Sequence, residues 1–129
     1  MKRNVLGVAL GLVAWIVVAS IGNRMLRAGI AGYGDAEAAM AFTQPMLLAR
    51  LLLGAVSSLV AGYVAAWSCR SSDGGVKALV GALLVISVPM HIALWARFPA
   101  WYHLIFLVSL AVLAIAGSKL RRHTSRRLT

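Results

Sequence analysis

Acidic residues are scarce in this 129-residue chain, where 3 Asp and Glu stand against 13 Lys and Arg for a formal net charge of +10. Asp35, Glu37 and Asp73 all fall outside the long apolar runs. A carboxylate placed to carry protons inside a membrane is therefore missing, which counts against a carboxylate-driven exporter. Cysteine is limited to Cys69. That excludes an intramolecular disulfide and the paired-cysteine relay of membrane thiol oxidoreductases, so redox chemistry is not expected. No nucleophile, base and orienting group form a triad pattern, and no glycine-rich loop offers a phosphate cradle. The chain is accordingly not expected to be an enzyme or to need a cofactor.

Charged residues make up only 12% of the chain, hydrophobic residues 61%, and the mean hydropathy is +0.87. A soluble core of this size cannot bury so much apolar surface, so lipid must cover the remainder. The expected fold is a single all-α domain, a polytopic membrane bundle of four transmembrane helices. Its spans lie at about residues 5–22, 46–67, 76–96 and 101–117, each near the ~20 helical residues that the hydrocarbon layer requires. An outer loop covers 23–45 and a basic cytoplasmic tail 118–129. The runs lack the alternation of barrel strands, and helices satisfy their own backbone groups in lipid.

Nine basic residues, among them Lys2, Arg3, Arg70, Lys77 and Arg121, fall at one set of span ends, against Arg24, Arg27, Arg50 and Arg97 at the other. The excess predicts that both termini are cytoplasmic, in a bacterial inner membrane. The competing reading of the start is a secretory signal cleaved near Ala19, which would leave three spans. The apolar run continues through Ile21, which favours a retained span. With its charge at span ends, the chain is expected to contact lipid headgroups and not nucleic acid.

The connections around residues 69–75 and 97–100 are short enough to make their flanking helices antiparallel neighbours. In the longer first connection Asp35 is placed to cap a short interfacial helix, which Pro45 separates from the second span. Gly54, Ser58, Gly62 and Ala66 recur every four residues and form a small-residue ridge on the second span, and Gly7 and Gly11 make a shorter matching ridge on the first. The ridge is either a homodimer seam or packing inside the monomer. The expected partners are the bilayer and either a second copy or another membrane protein.

One candidate polar site stands out. Arg50 lies about 8 Å below the outer end of its span, counted from Pro45 at helical rise, and His91 roughly 9 Å below the outer end of the third. His103 sits near the outer end of the fourth. Pro89 denies a donor to the carbonyl of Val85 and favours a kink beside His91. A charge at mid-bilayer costs on the order of 3 kcal/mol, so such residues suggest function. The bland alternatives are that Arg50 snorkels or pairs with Asp35 or Glu37, and that His91 is a neutral imidazole bonded to a serine or a freed carbonyl. The histidines have metal-binding chemistry but no ligand spacing, so no metal site is expected. Trp67, Trp95, Trp101 and Tyr102 suit interfacial belts, while Trp15 and Tyr63 lie deeper against helix neighbours.

The stretch 40–50, with Met40, Phe42, Gln44, Pro45 and Arg50, runs into Gly54 and Trp67. Together with Arg97, Phe98, Trp101 and His103, it resembles small four-span bacterial inner-membrane proteins of uncharacterised function. The resemblance implies fold and compartment, and no catalytic or binding residue. The chain does not resemble the fluoride-channel or small multidrug-exporter families, whose polar motifs and embedded glutamate it lacks. Two functions remain: a non-catalytic accessory or assembly protein acting through helix packing, and a small carrier or ligand-binding protein with an outward-facing pocket around Arg50, His91 and His103.

Overall fold

The apolar runs form helices whose ends are set by glycine, proline and turns. The computed structural model describes residues 1–70 and 73–129. It contains α1 (Lys2–Gly29), α2 (Tyr33–Ala39), α3 (Gln44–Ser68), α4 (Asp73–Ala93) and α5 (Ala100–Arg127). All but α2 are long and apolar enough to cross a membrane. Val13, Ile16, Leu52, Val85, Ile92 and Val108 are exposed on the outside of the bundle. An apolar exterior of this kind is what lipid covers, and the chain reads as a multi-pass membrane protein.

Three boundaries differ from expectation, the smallest difference being at α4, which ends at Ala93, short of residue 96. α1 continues past residue 22 to Gly29, carrying Arg24 and Arg27 on a helix instead of in a loop. α5 continues through the basic segment to Arg127, so most of the expected tail is helical. Hydropathy marks where lipid is favoured, whereas the helix ends only where its hydrogen-bond ladder ends, and Arg and Lys are good helix formers. Asp35 does not cap α2. The N-cap is Gly32 in a left-handed conformation (φ 76), and Asp35 lies in the first turn, where a carboxylate suits the helix dipole. Pro45 does open α3, where its missing N–H costs nothing.

The neighbour order also differs. α3 packs chiefly on α1 and α5, and α4 on the same two helices, while α3 and α4 touch only lightly across the bundle. The 69–75 connection, which includes Ser71 and Ser72 outside the described residues, therefore joins diagonal helices. Close backbone approach explains the order. A Cβ on Gly62 would overlap the carbonyl of Ala114, and one on Gly117 the carbonyl of Leu59, so α3 and α5 meet backbone to backbone. α1 approaches the other flank of α3, where a Cβ on Gly7 or Gly11 would lie 3.2 Å from the carbonyl oxygens of Ala65 and Ala61. The Gly7–Gly11 ridge thus does not mate with the 54, 58, 62, 66 ridge, which faces α5 at Gly54 and Gly62. Ser58 and Ala66 are fully buried, so this ridge is consumed within the chain.

The end of the bundle that carries the termini is pinned by polar contacts. Cys69 is buried and its thiol donates to the Arg3 carbonyl at 3.4 Å, while Asp73 at the start of α4 pairs with Arg122 of α5. Toward this end Ala61, Ala65, Leu79, Leu83 and Leu110 form a close-packed core. At the opposite end a second cluster of Leu47, Leu51, Phe98 and Tyr102 packs with Phe42, Leu94 and Trp101.

Candidate functional site

The α2 end is organised around a single guanidinium. Arg50 projects from α3 and is half-buried. Its Nη1 donates to the Tyr33 hydroxyl at 2.9 Å and its Nε to the Tyr102 hydroxyl at 3.4 Å, the latter a long bond. The guanidinium carbon sits 4.5 Å from the centroid of the Phe42 ring, a cation–π arrangement. Among the described residues Arg50 forms no ion pair. The expected pairing with Asp35 or Glu37 is replaced by a longer route. Tyr33 donates to Asn23 Oδ1 at 3.0 Å, Asn23 Nδ2 donates to Glu37 Oε1 at 2.9 Å, and Glu37 takes the Arg27 Nε at 2.6 Å. Glu37 thus answers Arg27, and the hydrogen bond from Arg27 holds its carboxyl below the ordinary value of 4.5. α2 positions this network because its first residue, Tyr33, is fully buried and sits over the bundle mouth.

Two cavities flank Arg50. The first, of about 290 Å³, lies among α1, α2, α3 and α5, with Ser20, Asn23, Glu37 and Arg50 as its polar groups. The second, of about 150 Å³, reaches all four long helices, is more enclosed and is mainly apolar, with Met90, Leu94 and Phe98 against His91 and Ser87. Trp15, Arg50, Tyr102 and Phe106 line both. Trp15 is held by its own hydrogen bond, Nε1 donating to Ser58 Oγ at 3.3 Å, and Ser58 in turn donates to the Gly54 carbonyl at 2.8 Å. The small residues of α3 therefore do more than pack, since Gly54 and Ser58 leave room for and fix the cavity wall.

His91 and His103 meet each other, not a serine or a freed carbonyl. Their Nδ1 atoms are 2.7 Å apart with the rings edge-on at 89°. Two such nitrogens bond only if one carries the proton and the other offers a lone pair, so the pair holds one shared hydrogen. Trp95 stacks on His103 with centroids 4.8 Å apart, and His103 is fully buried. Its Nε2 is buried without a hydrogen-bond partner among the described residues, a position cheaper for a lone pair than for an N–H.

Arg50 and His91 therefore share the second cavity, whereas His103 stands behind His91 and reaches the cavity only through it. No third His, Cys, Asp or Glu joins them in a metal-binding group among the described residues. The sequence reading missed Tyr33, Asn23, Trp15 and Tyr102. Tyr102 had suited the interfacial belt but is buried in the aromatic cluster, while Trp67 and Trp95 remain outward, at 60% and 49% exposed. The one signal for Tyr102 was its place three residues after Pro99 on the same helix as His103. No family model matches the chain, and no curated protein or solved structure matches it at a significant level.

Proposed function

We propose that this chain is a multi-pass protein of the bacterial inner membrane, with both termini cytoplasmic, that binds a small anionic ligand from the outer side at Arg50. The observation that carries this reading is the state of Arg50 itself. It is a charged group in the α2 half of an apolar helix, held among the described residues by neutral hydroxyls and a ring face, and it lines two cavities. A guanidinium whose purpose was structural would be expected to take a carboxylate, yet Glu37, which lines the same first cavity, is paired with Arg27. Two of the five N–H groups of Arg50 are used, leaving part of the fork for a ligand oxygen pair. The reaction chemistry of an enzyme finds no support in this arrangement, and binding is the activity proposed. The accessory reading drew on the small-residue ridge and the lack of an intramembrane carboxylate, and the ridge residues Gly54, Ser58, Gly62 and Ala66 are buried within the chain.

The test is thermal unfolding of the detergent-purified full chain with phosphate, acetate and benzoate at constant ionic strength. At least one anion should raise the midpoint, since a ligand at a hundred times its Kd adds about 2.7 kcal/mol. Arg50→Gln should keep its helical circular dichroism and lose the response. A response unchanged in Arg50→Gln, or no response to any of the three, overturns the reading.

A further inference from the structure

Resting on the reading of Arg50 as an anion site, we infer that the ligand is a monoanionic carboxylate bearing a single ring, its carboxylate on Arg50 and its ring in the second cavity. Three observations converge on this class. The first is charge. Among the described residues Arg50 makes no ion pair, while Glu37 lines the same first cavity and repels a second negative charge. That arrangement suits one carboxylate in bidentate contact and disfavours a phosphate dianion.

The second observation is size. The second cavity measures about 150 Å³, and an apolar protein cavity of about that volume accommodates one benzene molecule. The third is the character of the walls. Trp15, Phe98, Tyr102 and Phe106 present flat aromatic faces or edges, with Met90 as an adaptable filler. The four residues common to both cavities place the ring compartment directly beside the guanidinium. A ring-bearing acid therefore reaches both without any rearrangement of the helices. Tyr33 and Tyr102, bonded to the guanidinium, orient its fork and keep it from swinging to the headgroups.

The experiment is calorimetric titration of the detergent-purified full chain with benzoate, cyclohexanecarboxylate, hexanoate, acetate and the neutral benzamide. Benzoate and cyclohexanecarboxylate should bind about tenfold or more tighter than acetate, because the ring leaves water for the apolar compartment. They should also exceed hexanoate, whose flexible chain must be ordered on binding. If acetate matches the ring acids, the ring assignment falls and the anion site stands. If hexanoate binds best, the compartment takes a chain and not a ring, and the assignment also falls. If benzamide matches benzoate, the carboxylate has no role and both the assignment and the anion site fail. If none of the acids binds, both fail together.

Discussion

Tyr33 links Arg50 to the Asn23–Glu37 arm of the site, because its hydroxyl accepts from Arg50 and donates to Asn23 at once. Tyr33→Phe removes both bonds while keeping the ring against Phe42, 5.6 Å away between centroids. Each bond contributes about 1 kcal/mol, and the acceptor of Asn23 and a donor of Arg50 are left behind. The variant should lose roughly 1–3 kcal/mol in chemical unfolding, and it should also weaken any anion response, since Arg50 is no longer held. A stability equal to that of the parent chain would show that the network is not formed. At this scale the sequence was informative in one direction only. Arg50, His91 and His103 were legible because an ionisable side chain in an apolar run is costly and stands out. Tyr33, Asn23 and Tyr102 were not, because hydroxyls and amides near span ends are ordinary in interfaces, and their partners lie on helices far away in sequence.

At the scale of the helix, glycines sort into two kinds that the sequence does not distinguish. Gly62 and Gly117 bring α3 and α5 into backbone contact, and a Cβ at Gly62 would run into the Ala114 main chain. Gly81 on α4 is exposed and a Cβ there meets nothing. Gly62→Ala should therefore cost several kcal/mol, on the order of other overpacked core changes, and lower the yield of folded protein. Gly81→Ala should be tolerated or gain up to about 1 kcal/mol of helix propensity. Thermal unfolding of the two variants side by side checks the contrast, and equal effects would contradict the α3–α5 contact. The presence of four spans was readable from apolar runs, whereas their ends and neighbours were not. Loop length limits which helices can touch, but here backbone approach at small residues decides which do, and it places α1 and α5 between α3 and α4.

The whole molecule is asymmetric from end to end. The half nearer the termini is close-packed around Leu79, Leu83 and Leu110, and the α2 half is hollow around Arg50. On the proposed orientation the half that carries the termini faces the cytoplasm. Cysteines introduced one at a time at Ser125 and at Gly34, in a Cys69→Ser background, test this. The Gly34→Cys protein should react with a membrane-impermeant maleimide in intact cells, and the Ser125→Cys protein only after lysis; the reverse pattern would invert the bundle. The depth of Arg50 then has an electrical meaning. A site about 8 Å inside a hydrocarbon layer of ~30 Å lies roughly a quarter of the way through the membrane field. An anion entering from outside moves against a potential that is negative within, at a cost of ~0.6 kcal/mol for each 100 mV. On the proposed reading the site is therefore voltage-sensitive, and an energised membrane would loosen its hold on the anion by somewhat less than threefold for each 100 mV.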